Sequence, residues 1–346
     1  MKIILAIISL SIIVIRDALV FYLGKKYEMY VDYQWIKFKN DYSKTYDSLG
    51  QELYHYDVFQ EHLKRIEEHN KKYEAGKVSW MEGINEFSDL NEQELKNKHL
   101  FGVIGEVNDT VEARYSRRLK HVMNGNAPDS IDWRDFNVLT KVRQQSQRFT
   151  ICGSCWAISA VGSIESQYAI KTKELVELSV QELIDCTEKK FARGCEGGMT
   201  FAGFQYVMDN GVDTEESYPY EARDGICRKT KSKVKISGYV VIPKTDEYLM
   251  DAVGTVGPVS VAMKFDDFTF YGGGIVKCAD SKGRPNHAVL LIGYGEEDGV
   301  PYWLLRNSWG ERWGEKGDFR IQRGIDKHDC GIHDFPFYPI VDVDEA

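Results

Sequence analysis

The sequence predicts an α+β protein with a helical segment ahead of it. Three observations predict this. Residues 19–100 carry charge at helical spacing, residues 102–127 are poor in apolar side chains, and from Ala127 onward helical patterns come first and strand patterns after Val234. A chain of 346 residues accommodates about two domains at roughly 150 residues each. With 43% hydrophobic and 28% charged residues, it is neither disordered nor collagen-like. A net charge of −9 argues against a nucleic-acid partner, which would call for a basic surface. No run reaches the roughly 18 apolar residues that a membrane span needs, so no span is expected.

The chain opens with Met1 and Lys2 and an apolar run from Ile3 to Ile15. This is the form of a secretory signal peptide, and residues 1–18 are assigned to it, with Ala18 before the cut. Tyr30 to Tyr42 mixes aromatic residues with lysine at helical spacing. Glu52 to Glu74 forms a long amphipathic run with Phe59, Leu63 and Ile66 on one face. His55, His62 and His69 recur every seven residues, so they share one flank of that helix. If they pack neutral, protonation would charge the face and weaken its docking as pH falls. Residues 102–127 read as an exposed linker, with a basic patch at Arg117 and Arg118 and a glycosylation sequon at Asn108. A helix is expected from Cys155 past Ala169, and a second from Ser179, where Ser179 and Glu182 can form a capping box. Strands are expected at Val259–Met263, Ala288–Gly293, Tyr302–Asn307 and Phe319–Gln322. There are no internal repeats.

The seven cysteines all lie after residue 151: Cys152, Cys155, Cys186, Cys195, Cys227, Cys278 and Cys330. An exported chain meets an oxidising compartment, so six can pair and one thiol is left over. Spacing alone does not say which. Cys152-Gly-Ser-Cys155-Trp156 opens a helix, and a helix N-terminus favours thiolate. By itself the motif fits a nucleophile, a redox pair, half a zinc site or structural sulfur. No second Cys-x-x-Cys or His pair accompanies it, so no metal is expected. A thiolate nucleophile needs a base, and the base needs an orienting partner. Asn286-His287-Ala288-Val289 puts a histidine at the start of an apolar strand, and Asn307-Ser308-Trp309-Gly310 ends the next long one. An amide oxygen at Asn307 would hold the tautomer of His287, with Trp309 shielding the bond from water.

With these residues in this order, the sequence resembles the papain-like cysteine proteases, nearest the cathepsin L and S type. The resemblance extends over nearly the whole chain after the signal. It rests on Cys152–Trp156, Leu178–Cys186, Gly194-Cys-Glu-Gly-Gly198, Asn286–Val289 and Asn307–Gly310. It implies a two-lobed papain-like fold, with a helical lobe and a β-barrel-like lobe. Residues 1–18 are then the signal, 19–126 an inhibitory propeptide with linker, and 127–346 the peptidase domain. It implies Cys155 as nucleophile, His287 as base and acid, Asn307 as orienter, and disulfides 152–195, 186–227 and 278–330. It also implies a monomeric endopeptidase acting on proteins and peptides without a cofactor. Such an enzyme is made as a zymogen in the secretory pathway, lysosomal or extracellular, with its own propeptide as intramolecular inhibitor. The propeptide's short motif is intact at Gly83-x-Asn85-x-Phe87-x-Asp89. The long helical motif reads Gln51, His55, Phe59, His62, Ile66 and Asn70, with three of six positions matching.

By the same resemblance, Gly197, Gly198, Met199, Thr200, Ala262, Pro285, Ala288 and Phe335 bind substrate, with Phe335 at the floor of the main selectivity pocket (S2). No His-containing insertion follows Gly198, which implies a cleft open at both ends. The sequence departs from the family before the nucleophile. The family carries an oxyanion-hole glutamine six residues ahead of it, and here that position is Phe149. Removing Arg148 to Ile151 restores the pattern, so Gln145 is the expected donor if these residues loop out. If they do not, the alternative is a catalytically impaired homologue that binds or inhibits. A thiol–disulfide oxidoreductase using Cys152 and Cys155 is a third reading. Asp318 stands where the family usually has an aromatic residue.

Overall fold

The computed structural model describes residues 2–97, 102, 118–147, 150–228, 231–265, 268–278, 284–324 and 330–341. The sequon at Asn108, the basic residue Arg117, and Arg148 and Phe149 of the expected insertion lie outside these. The chain divides into two compact units, Met1–Glu68 with Ile84–Leu90, and His69–Gly83 with Asn91–Ala346.

The first unit is built on two helices. α1 (Lys2–Asp41) takes in the expected signal segment, and α2 starts at Leu49 and ends at Glu74. No helix among the described residues is long and apolar enough to cross a membrane. Val31, Trp35 and Phe38 recur at helical spacing and bury against Phe59 and Leu63 of α2. The Trp35 and Phe38 rings both lie about 5 Å from Phe59. The short motif closes the unit around Asp89, which is buried and accepts from Lys44 Nζ at 2.7 Å and Tyr46 Oη at 2.9 Å. His55 Nδ1 meets the Asp89 carbonyl at 2.7 Å, and His62 Nδ1 meets the Ser88 carbonyl at 3.0 Å. A carbonyl oxygen only accepts, so each ring nitrogen carries its proton whether the ring is neutral or charged.

In the second unit, Asn70 exchanges two 2.8 Å hydrogen bonds with the backbone of Glu82, fixing strand β1 (Trp80–Glu82). A short helix α3 (Glu92–Asn97) follows, then β2 (Arg118–Lys120) and β3 (Ile131–Asp132). Ser146–Gln147 (β4) and Thr150–Ile151 (β5) pair as an antiparallel hairpin. Three longer helices come next: α4 (Cys155–Thr172), α5 (Val180–Cys186) and α6 (Thr200–Asn210). Ser179 caps α5 by accepting from the Glu182 amide at 3.0 Å. The Ser179 amide donates to the Asp213 carbonyl at 2.9 Å, and the Glu182 carboxylate accepts from Tyr206 Oη and the Asp213 amide.

The remaining elements are β6 (Gly238–Val241), α7 (Asp246–Thr255), β7 (Val259–Met263), β8 (Tyr271–Val276), β9 (His287–Glu297), β10 (Val300–Arg306), β11 (Asp318–Gln322) and β12 (Phe337–Ile340). Strand order in the sheet is β1-β8-β11-β10-β9-β7-β12-β6-β2, with β3 on β9. Disulfides join Cys152 to Cys195, Cys186 to Cys227 and Cys278 to Cys330. Asp318, the residue out of keeping with the family, is buried and accepts from Arg306 Nε at 2.9 Å.

α4 buries most of its circumference, as expected of a helix whose faces all carry small or apolar residues. Trp156, Ala160, Val161 and Ile164 enter a core shared with Leu183, Phe204 and Phe337. On the face toward the sheet, Ser159 Oγ donates to the Val289 carbonyl at 2.7 Å and Ser163 Oγ to the Pro258 carbonyl at 2.9 Å. These bonds satisfy buried hydroxyls and align the helix with β7 and β9.

The end of the expected linker is anchored through its backbone and His121, while Lys120 and residues 122–126 are exposed as expected. β2 pairs in parallel with β6, and His121 behind it is buried. Its Nε2 meets Asp251 Oδ2 at 2.8 Å and its Nδ1 meets Tyr338 Oη at 3.1 Å. The other Asp251 bonds come from the amides of Asn124 and Gly125, each at 2.9 Å. Burial pushes the Asp251 carboxyl up, but the two amides and the His121 ring outweigh it and leave it below the usual range. The folded pKa is the lower one, so the stabilisation is in full above about pH 4 and fades as pH falls through the folded value. Asp251→Asn is therefore expected to destabilise the full chain by about 1–3 kcal/mol at pH 7. The difference should shrink toward pH 3, as urea denaturation at the two pH values would report. An equal loss at both would contradict the ionic account.

Candidate active site

Cys155 is the first residue of α4 and is fully buried. The loop before it is pinned by the Cys152–Cys195 disulfide and by the Gly153 amide on the Cys195 carbonyl at 2.8 Å. Cys155 Sγ accepts from the Ala288 amide at 3.4 Å, which places the thiol against the start of β9. Cys155 is the free cysteine, and its neighbour Cys152 is committed to a disulfide, which excludes a Cys152–Cys155 redox pair. Burial pushes the thiol up to about 11, against the lowering effect of the Ala288, Gly102, Trp156 and Cys155 amides. The helix N-terminus was expected to lower it; in this closed site desolvation wins.

His287 opens β9 and is also fully buried. Its Nε2 lies 2.7 Å from Asn307 Oδ1, an oxygen that only accepts, so Nε2 holds a proton. Asn307 Oδ1 also receives the Ser308 amide at 2.7 Å, which fixes the amide plane. The Trp309 ring lies 5.1 Å from the imidazole and the Phe265 ring 5.0 Å, enclosing the pair in aromatic surface. Burial lowers the imidazole to about 4, with the Asn307 bond opposing it. A neutral thiol beside a neutral imidazole is the resulting state.

Gln145 is fully buried next to them. Its amide donates to the Ser308 carbonyl at 2.8 Å, its Oε1 accepts from Ser308 Oγ at 2.6 Å, and its Nε2 donates to the Cys152 carbonyl at 3.0 Å. Between Gln145 and Cys152, Ser146–Gln147 pairs with Thr150–Ile151, and Gln145 lies beside Ser308. Ser308 was not singled out as functional from the sequence, although it lies inside the Asn307–Gly310 motif.

The expected substrate-binding residues gather in part. Ala262 on β7 and Ala288 on β9 are register partners. Gly197 and Gly198 lead through Met199 into α6, which starts at Thr200. Met199 lies in the helical core, and half-buried Phe335 packs against that same core. Pro285 lies two residues before His287 and is half-buried.

Gly102 occupies this region as well, and nothing in the sequence singled it out. Its carbonyl accepts from the Gly198 amide at 2.8 Å. A Cβ on Gly102 would lie 2.0 Å from the Gly153 carbonyl oxygen, so only glycine fits. Gly102, N-terminal to the predicted peptidase domain, thus sits against Gly153 and Gly198 close to Cys155.

A thiol, an imidazole oriented by an amide oxygen and an adjacent buried amide donor are the set that nucleophilic acyl transfer uses. Comparison with known proteins agrees. Residues 127–340 match the papain family cysteine protease profile, and residues 35–95 match the cathepsin propeptide inhibitor domain (I29). The chain is 38% identical over 311 residues to a cathepsin L-like proteinase of Phaedon cochleariae, covering 89% of this chain and 93% of that one. It is 36% identical over 318 residues to cathepsin S of Bos taurus, covering 89% and 92%. The structure of digestive procathepsin L 3 from the Tenebrio molitor larval midgut superposes with a TM-score of 0.80 at 35% identity, over 90% of this chain and 99% of that one. The chain belongs to the papain family of cysteine proteases and carries a cathepsin propeptide inhibitor domain ahead of its peptidase region.

Proposed function

We propose that Cys155, His287, Asn307 and Gln145 carry the hydrolytic chemistry of this protease. The observation that carries the reading is the 2.7 Å bond from His287 Nε2 to Asn307, made where the next residue's amide touches Cys155 Sγ. With Nε2 protonated toward Asn307, Nδ1 exchanges the proton with Sγ. The thiolate attacks the scissile carbonyl carbon, and the oxyanion is met by the Cys155 backbone amide and Gln145 Nε2, which turns from the Cys152 carbonyl to receive it. The imidazolium then gives its proton to the leaving amine. Water, deprotonated by His287, hydrolyses the thioester and restores the thiol.

Residues 1–18 serve as the signal, 19–126 as the propeptide with linker and 127–346 as the peptidase domain. The protein enters the secretory pathway, works in lysosomes or outside the cell, and acts as a monomer. α6 starts two residues after Gly198, leaving no room there for an occluding insertion, which favours endopeptidase action on proteins and peptides. With Gly102 in place, the thiol and imidazole stay neutral and covered, which suits a latent precursor. Nothing observed favours the alternative of an inert binding or inhibitory homologue. The substrate-binding set comprises Gly197, Gly198, Met199, Thr200, Ala262, Pro285, Ala288 and Phe335.

Cys155→Ala is expected to abolish hydrolysis of a dipeptidyl fluorogenic substrate while leaving the circular-dichroism spectrum unchanged. Asn307→Ala should cost less than loss of Cys155 or His287, because it orients rather than reacts. Retained turnover in Cys155→Ala would refute the reading. In the unprocessed precursor, alkylation of Cys155 by iodoacetamide should be slow at pH 7 and climb about tenfold per unit toward pH 10, following the thiolate fraction. A flat profile would contradict the raised thiol pKa. Phe335 at the pocket floor predicts Val or Leu at P2 over Phe and Arg. Phe335→Ala should improve acceptance of Phe by a factor set by about 1–3 kcal/mol, measured as kcat/KM on matched substrates. A P2 Arg substrate cleaved best would overturn the pocket assignment.

A further inference from the structure

Tyr220 stands at the meeting point of three segments around the nucleophile. Its amide donates to Glu215 Oε1 at 2.8 Å, and its carbonyl accepts from Gln147 Nε2, on the hairpin, at 3.3 Å. Its hydroxyl lies 2.9 Å from the Gln145 carbonyl and 2.6 Å from Ser154 Oγ. The carbonyl oxygen can only accept, so the phenol donates to Gln145 and receives the Ser154 proton. Ser154 occupies the N-cap position of α4, yet its side chain caps no backbone amide of that helix. The hydroxyl that a serine normally turns onto its own helix is turned onto Tyr220 instead. One phenol therefore ties the Gln145 backbone to the residue immediately before Cys155.

This matters because of what separates the two ends. Gln145 and the Cys155 amide come from opposite sides of the β4–β5 hairpin, the stretch lengthened by Arg148–Ile151. A longer connection constrains the spacing of its ends less. The Cys152–Cys195 disulfide holds the loop before the helix, and Ser308 holds the Gln145 side chain. The phenol supplies a direct link between the two flanks.

We propose that Tyr220 is a positioning residue for peptide-bond hydrolysis, holding Gln145 and the Cys155 amide at the separation that the developing oxyanion requires across the lengthened hairpin. The proposal rests on Gln145 and the Cys155 amide being the oxyanion donors. It predicts an effect on the step in which charge appears on the carbonyl oxygen, and none on thiol reactivity that forms no oxyanion.

The test uses full-length chains carrying Tyr220→Phe, Ser154→Ala, Gln145→Ala or Gln145→Ala with Tyr220→Phe. Each is processed in trans by immobilised wild-type enzyme so that all are cut alike. Tyr220→Phe is expected to lower kcat about tenfold with KM within twofold, and Ser154→Ala to do the same. Inhibition by a peptide aldehyde, whose adduct carries the oxyanion, should weaken in step with kcat. Alkylation of Cys155 by iodoacetamide should keep its wild-type rate and pH profile. In the Gln145→Ala background, Tyr220→Phe should cost less than in the wild type, because one of the two groups it aligns is gone. Unchanged kcat in Tyr220→Phe, fully additive losses, or alkylation slowed as much as turnover would each overturn the proposal. Gln145→Ala with wild-type turnover would instead refute Gln145 as a donor, a failure distinguishable from that of Tyr220.

Discussion

The structure depends on the packing of one buried helix against one strand. α4 begins at Cys155 and β9 begins at His287. Ser159 on the helix and Val289 on the strand are joined by a 2.7 Å hydrogen bond one turn in from these two residues. Gly162 lies one turn further on, where an added Cβ would come within 3.2 Å of Leu290. Small side chains and buried serines therefore set how closely helix and sheet approach. Because both reactive groups are the first residues of their elements, that approach also sets where sulfur meets strand. A larger residue at this seam would require its neighbours to move, since close-packed interiors do not absorb even a methylene without movement.

Burial then determines the electrostatic state. Cys155 and His287 are both excluded from water, and burial acts on each toward the uncharged form, raising the thiol and lowering the imidazole. A thiolate–imidazolium pair needs some return of solvent or of polar partners. Gly102 lies against Gly153 and Gly198, flanking the thiol, and its own amide already favours the thiolate, so solvent is what the closed site lacks. Burial of the pair therefore favours its uncharged protonation state.

Three buried carboxylates elsewhere follow the same logic and are paired. Glu165 accepts from Arg143, Thr140 and the Leu178 amide. Asp318 faces Arg306, and Asp251 receives two amides and His121. The Glu165 and Asp251 pairs link the stretch before the hairpin and residues 121–125 to the rest of the unit. A charge left without its partner in such a place would cost more than the pair contributes.

The sequence by itself determined the periodic and the invariant-order features. Helical spacing placed α2, the Cys155 helix and the helix after Ser179. Apolar runs placed β7, β9, β10 and β11 to within a few residues, and the motifs around Cys155, His287 and Asn307 pointed to the papain family of cysteine proteases. These are local patterns or a recognisable motif, legible without coordinates. The tertiary structure decided what depends on groups distant in sequence. That Gln145 lies beside Ser308 depends on a contact between residues 163 positions apart. That residues 118–125 dock follows from the partner strand β6 and from Asp251, more than a hundred positions away. The raised thiol pKa was missed because the helix dipole can be read from sequence and desolvation cannot. Tyr220 was missed for the same reason: a tyrosine announces a ring, and only packing shows which two backbones its hydroxyl joins.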